Sequence, residues 1–175
     1  MPEPGDGQRL DPVIRPAQPG DGPGCARVWT DAGRNFREID PRALKLPEPD
    51  GLTGWFEEAL ARPRPPESLW LVAESGGEIT GFVNGTVEPP RGDAHWQLQR
   101  DLGRARLTVG VLAVAEAARR TGVGTALMTA IEAAARALGA EVAMLDTNLR
   151  SPMSVPFYEN RMGYERQAVI FRKEL

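Results

Sequence analysis

One stretch, Leu107–Leu138, constrains this chain more than any other. It opens with an apolar run (Leu107, Val109, Val111, Leu112, Val114) and passes through a short turn, Glu116 to Arg119. Then come Arg119-Arg120-Thr121-Gly122-Val123-Gly124-Thr125 and a long alanine-rich helical pattern. That order is strand, glycine loop, helix. Such a loop turns backbone N–H groups toward one point at a helix N-terminus, where the helix dipole also favours negative charge. A phosphate or pyrophosphate is the natural occupant.

The remaining composition narrows the class. With 175 residues the chain has enough length for one domain with a real core. Its formal net charge is −3 and its pI about 5.3, with no long basic run, which argues against nucleic acid as a partner. The single cysteine, Cys25, excludes an intramolecular disulfide and fits a reducing compartment. No stretch approaches the ~18 consecutive apolar residues of a membrane span, and the N-terminus has no apolar signal core. A cytoplasmic protein is expected, without metal. Residues 1–11 are rich in proline, glycine and charge and read as a disordered tail ahead of a single domain over 12–175.

Periodicity supplies the other elements. A short strand is expected over Pro12–Ala17. A helix starting near Asp21–Pro23 carries Cys25, Val28, Trp29, Ala32 and Phe36 on one stripe. Thr53 is placed to cap a second helix, Gly54–Arg62. Ser68–Glu74 and Ile79–Glu88 form a hairpin around Ser75-Gly76-Gly77-Glu78. After a polar insertion, Pro89–Gly103, the strand Arg106–Val114 leads into the glycine loop. The helix Val123–Leu138 ends at Gly139. Glu141–Thr147 follows as a strand parallel to Arg106–Val114, then a short helix Pro152–Met162 and a last strand or strand pair over Tyr164–Lys173.

Arg119-x-x-Gly122-x-Gly124 matches the pattern (Gln/Arg)-x-x-Gly-x-(Gly/Ala). Leu112-Ala113-Val114 lies just upstream, and Phe157-Tyr158…Gly163-Tyr164 lies downstream of the next strand. In these features the chain resembles the GNAT superfamily of acyl-CoA N-acyltransferases, from about Pro12 to the C-terminus. The resemblance implies a mixed α/β fold: one domain with a sheet of six to seven strands, about four flanking helices and two splayed central parallel strands. It also implies acetyl-CoA as co-substrate. The pyrophosphate would lie on Arg119, Arg120, Thr121, Gly122, Val123, Gly124 and Thr125. The pantetheine arm would extend the sheet along Leu112, Ala113 and Val114, with Asn148 and Ser154 as lesser contacts. Tyr158 would protonate the departing thiolate. In this sequence Tyr158 stands five residues before Gly163, where the family usually has four. A distorted helix end or a π-type bulge would absorb the extra residue.

Two functions are open at this level. One is transfer of an acetyl group to a primary amine of a small molecule or peptide; the other is a non-catalytic acyl-CoA-binding module. A Walker loop and a Rossmann fingerprint are both absent. The strand Arg106–Val114 contains no carboxylate, so the general base is unassigned among Glu88, Asp93, His95 and Asp101. Trp29, Phe36, Trp55 and Phe56 read mainly as core, and Cys25 as buried and inert. The acceptor has no motif, and a homodimer through the last strands is compatible with this fold class.

Overall fold

The structure is a computed structural model that describes residues 11–174; the tail expected at the N-terminus lies, except for Asp11, outside the described residues. Five strands form one sheet in sequential order: β1 (Val13–Pro16), β2 (Ser68–Ser75), β3 (Glu78–Glu88), β4 (Arg106–Val114) and β5 (Val142–Met144). The first four are antiparallel neighbours, and β5 runs parallel to β4. Helices α1 (Gly22–Ile39) and α2 (Leu52–Ala61) lie between β1 and β2, and α3 (Val123–Ala137) carries the chain from β4 to β5.

The β2–β3 hairpin turns on Gly76 (φ +59°) and Gly77 (φ +81°), the left-handed pair that a tight two-residue turn requires. Alternation along β3 then divides the core in two. Phe82 packs with Val28, Phe56, Leu60 and Val72 under α1 and α2. Val83 and Val87 pack with Leu107, Leu127, Met128 and Ile131 under α3. Cys25 is fully buried in the first cluster, and burial pushes its thiol up to about 12, which leaves it unreactive. At the sheet's far edge the Arg15 guanidinium grips both carboxylate oxygens of Asp21, at 2.8 and 2.7 Å, and reaches Glu74, tying β1, β2 and the start of α1 together. Burial raises the Asp21 carboxyl, but the Arg15 fork outweighs it and holds the group below its ordinary range.

Three expectations need correction. The sheet has five strands, not six to seven, because residues 165–174 form no strand. A strand needs a paired edge and a face to bury. Here β5 is only Val142–Met144, shorter than the expected Glu141–Thr147, and Val169, Ile170 and Phe171 remain exposed. Thr53 does not cap α2. The helix starts at Leu52 from Gly51 (φ +79°), and the Trp55 N–H donates to the Gly51 carbonyl at 2.9 Å. The helix expected over Pro152–Met162 is a single turn, Ser154–Pro156 (α4), followed by a π-helical turn, Phe157–Arg161. There the Met162 N–H donates to the Phe157 carbonyl at 3.1 Å, across five residues instead of four.

Packing of α1 on the sheet depends on a close approach at Gly24. A Cβ there would stand 2.6 Å from Ile79 Cβ. Glycine to alanine inside a helix ordinarily gains about 1 kcal/mol. Gly24→Ala is expected instead to cost about 1–3 kcal/mol through overpacking, measured by urea denaturation.

Candidate active site

The site is built around the unequal pairing of β4. Its β3 side is bonded along the whole strand, from Arg106–Glu88 to Val114–Gly81. Its β5 side is paired only at Arg106, Leu107 and Thr108. From Val109 onward the two parallel strands have separated, and β4 presents an edge without a strand partner. A bulge marks the same place: Val109 pairs with Gly85 and Val111 with Asn84, so Gly110 is the extra residue. Leu112, Ala113 and Val114 lie on this open half, with Ala113 buried and its two neighbours half-buried.

Beyond β4 the chain makes one 3₁₀ turn, Glu116–Ala118, and enters the glycine loop. The Arg119 N–H donates to the Glu116 carbonyl, and the next backbone bond begins at Ala126, which donates to Gly122 at 2.9 Å. The N–H groups from Arg120 to Thr125 between them have no backbone carbonyl partner. Arg120 (φ +63°) and Gly122 (φ +97°) are both left-handed, and alternation of this kind curls successive N–H groups around a concavity suited to an anion. Arg120 is the only non-glycine residue with positive φ among the described residues. Its strain is concentrated at this loop.

The two arginines divide. Arg119 turns inward: its Nε donates to the Val114 carbonyl at 3.3 Å and its Nη2 to the Asp31 carbonyl at 3.0 Å. Asp31 also accepts the Glu116 N–H on its side chain at 3.2 Å. Arg119 therefore binds the end of β4 to α1, and both its guanidinium and its N–H are engaged within the protein. Arg120 is exposed and is the charge available to a ligand. The Thr121 hydroxyl donates to Ala118 O at 2.7 Å, whereas the Thr125 hydroxyl has no partner among the described residues. Val123 is buried against the core and contributes its N–H alone.

Across the opening lies the segment after β5. A Cβ on Gly124 would meet Phe157 Cζ at 3.6 Å and Val114 Cγ2 at 3.7 Å, so the π turn, the loop and the end of β4 come together at Gly124. Tyr158 packs edge-on to Phe157 and Tyr164, at 5.1 and 5.8 Å between ring centroids. Its hydroxyl has no hydrogen-bond partner among the described residues. Burial, with the nearby Asp146 charge, pushes that hydroxyl up to about 12. Tyr164 instead donates to Glu132 Oε1 at 2.9 Å and is anchored to α3. Asn148 is engaged in a turn, its Oδ1 accepting the Arg150 N–H at 2.9 Å. Ser154 is bonded to Ser151 through both its N–H and its hydroxyl.

Of the four candidate bases, Asp93 is held by Arg91 and Asp101 by Arg104, and His95 stacks on Trp96 at the surface. Glu88 alone lines a cavity, of about 430 Å³, on the α1–α2 side of the sheet beside Thr108 and Gly110. Sequence reasoning missed Asp31, Asn84 and the bulge at Gly110. A glycine within an otherwise apolar strand is the one signal that could have pointed to the bulge.

Unpartnered N–H groups in a left-handed loop, a free β4 edge leading to it and a gap between parallel strands fit a pyrophosphate ester with a long amide-bearing arm. Among the described residues no three or more His, Cys, Asp or Glu side chains are grouped so that they could hold a metal ion. No helix is long and apolar enough to cross a membrane.

The comparisons with known proteins agree with the fold. The tetramutant of the BH1408 protein from Bacillus halodurans has the same fold, with a TM-score of 0.76 at 21% identity, covering 93% of this chain and 99% of that one. An aminoglycoside acetyltransferase, HMB0005, from an uncultured soil metagenomic sample gives 0.62 at 20% identity over 95% and 99%. A second from such a sample, meta-AAC0020, solved in complex with sisomicin, gives 0.60 at 17% identity over 94% and 96%. These identities establish likeness of fold alone. No curated protein sequence matches the chain. The model of the acetyltransferase (GNAT) family matches residues 28–164, which hold β4, the glycine loop and Tyr158, and the chain belongs to that family.

Proposed function

We propose that the protein transfers an acetyl group from acetyl-CoA to the primary amine of a small molecule or peptide, by direct attack on the thioester. The observation that carries this reading is the run of free N–H groups from Arg120 to Thr125 at the end of a half-paired β4. Those groups, with Arg120 and the Thr125 hydroxyl, hold the pyrophosphate. The open edge at Leu112–Val114 accepts the pantetheine amides as an added strand. Its backbone N–H groups polarise the thioester carbonyl. The activated acetyl group is what acetyl-CoA supplies. The lone buried cysteine is in keeping with a reducing compartment such as the cytoplasm.

The neutral amine nitrogen forms a bond to the acetyl carbon, the carbon–sulfur bond breaks, and the amine gives up one proton. An alkylamine has a pKa of about 10, so a proton must leave it before attack. Tyr158 serves the other end. With its hydroxyl near 12, it is fully protonated at neutral pH and donates a hydrogen bond to sulfur as negative charge develops there. A thiol ionises at about 8.5 and is the stronger acid, so Tyr158 keeps its proton and serves by hydrogen-bonding the departing sulfur; the proton the amine gives up balances the one that the thiolate takes, by way of solvent.

Tyr158→Phe is expected to lower kcat at least tenfold with acetyl-CoA affinity nearly unchanged, measured by thiol release and calorimetry. Unchanged kcat would remove Tyr158 from the reaction. Because the folded hydroxyl titrates near 12, activity should show no Tyr158-dependent fall between pH 8 and 10. A limb near the ordinary tyrosine value of about 10, lost in the phenylalanine variant, would contradict that. Gly124→Glu adds bulk against Phe157 and Val114 and a negative charge at the anion site. It should abolish acetyl-CoA binding in calorimetry while the far-ultraviolet dichroism stays native; retained binding would overturn the pyrophosphate assignment.

A further inference from the structure

The cavity beside Gly110 has an unusual polar lining. It spans three strands, from Trp70 on β2 across its partner Asn84 on β3 to Gly110 on β4. Among the described residues only two buried side-chain nitrogens lack a hydrogen-bond partner, Arg64 Nη1 and Trp70 Nε1, and both residues stand on its wall. A buried donor left unpaired is costly, and native proteins rarely tolerate one. Here two lie at the same end. They are held there: Arg64 Nη2 donates to Ala17 O at 3.1 Å, its guanidinium stands 5.4 Å from the Trp70 ring, and that ring is packed by Phe56 and Phe82. The Asn84 side chain reaches toward the bulge, with Oδ1 2.8 Å from where a Gly110 Cβ would be.

The opposite end carries the opposite charge. Glu88 accepts from Thr108 Oγ1 at 3.2 Å and from Arg106 Nη2 at 3.3 Å, both through Oε2, which leaves Oε1 without a partner among the described residues. The Arg64 guanidinium and the Trp70 indole therefore stand in the wall at the β2 end with one nitrogen each that no acceptor oxygen among the described residues meets. At the other end the carboxylate is that of Glu88, the last residue of β3, beside Arg106 and Thr108 on β4, the strand whose open edge runs to the glycine loop. Both donors need acceptor oxygens, and a guanidinium with a second N–H donor suits a carboxylate.

We propose that this cavity binds a small amine bearing a carboxylate, with the carboxylate toward Arg64 and Trp70 and the amine between Glu88 and Gly110. The proposal rests on the acetyl-transfer reading for what then happens to that amine; the binding itself does not depend on it. Glu88 stands four residues along β3 from Asn84, the partner of Trp70, and at roughly 3.3 Å per residue that is roughly 13 Å of strand between the two ends. An α-amino acid is too short to meet both ends. An ω-amino carboxylate, or a lysine-type amine with its own α-carboxylate, has the reach. A polycation without a carboxylate would place charge against Arg64.

The test uses the full chain labelled with nitrogen-15 and follows the Trp70 indole N–H resonance, assigned with Trp70→Phe. Titration with 6-aminohexanoate should move that resonance saturably, and its uncharged amide, 6-aminohexanamide, should not. Arg64→Gln should weaken the carboxylate response at least tenfold while acetyl-CoA binding by calorimetry is kept. In thiol-release assays kcat/KM should favour the carboxylate over the amide at least tenfold, chiefly through KM, and Arg64→Gln should erase the preference. No indole shift, or equal shifts with both ligands, would overturn the assignment. A saturable, carboxylate-specific shift without thiol release would uphold the binding site and overturn acetyl transfer to the amine held there. Thiol release with both amines alike and no indole shift would do the reverse.

Discussion

Strand β4 is hydrogen-bonded on both edges only at Arg106, Leu107 and Thr108. From Val109 to Val114 it keeps β3 and loses β5. Unpaired backbone donors and acceptors inside a fold must find a partner or face solvent. Everything else in the site is arranged around that half-open strand. The bulge at Gly110 bends β4 where the pairing stops. The π turn brings Phe157 against Gly124 and Val114 on the far bank, and α3 begins where the strand ends.

A free strand edge by itself invites aggregation. Here it is short and covered from the sides, and its end is fixed. Arg119 does the fixing, by bonding the Val114 carbonyl and the Asp31 carbonyl on α1. Asp31 answers with its carboxylate on the Glu116 N–H. The geometry of the glycine loop is thus set by α1 as well as by its own glycines, and the strained φ of Arg120 is held by structure on both sides. Anion binding of this kind needs donors oriented before the ligand arrives. The loop's donors are fixed in that way.

The loop was legible in the sequence because all its determinants are local. Gly122 and Gly124 stand at a strand-to-helix junction, and hydrophobic periodicity changes from two to 3.6 across them. The extra residue between Tyr158 and Gly163 was legible for the same reason, and a π turn over Phe157–Arg161 takes it up. Other features depend on contacts that local pattern does not carry. The last strand expected over Tyr164–Lys173 has suitable residues, but β5 is too short to pair it. Thr53 is a good capping residue that lies one position inside a helix started by Gly51. The inward turn of Arg119 depends on Asp31, 88 positions away in the chain. Arg64, Trp70 and Glu88 meet one cavity only because β2 and β3 fold back on each other, and no motif links them.

The central claim is that the free N–H groups of the loop and the open edge of β4 together hold acetyl-CoA. The most direct measurement is a map of backbone amide shifts on titration with acetyl-CoA. Amides from Arg120 to Thr125 and along Leu112–Val114 should move together with one saturation curve, and those of β1 and β2 should stay in place. Saturable binding that leaves the Arg120–Thr125 amides unmoved would contradict it.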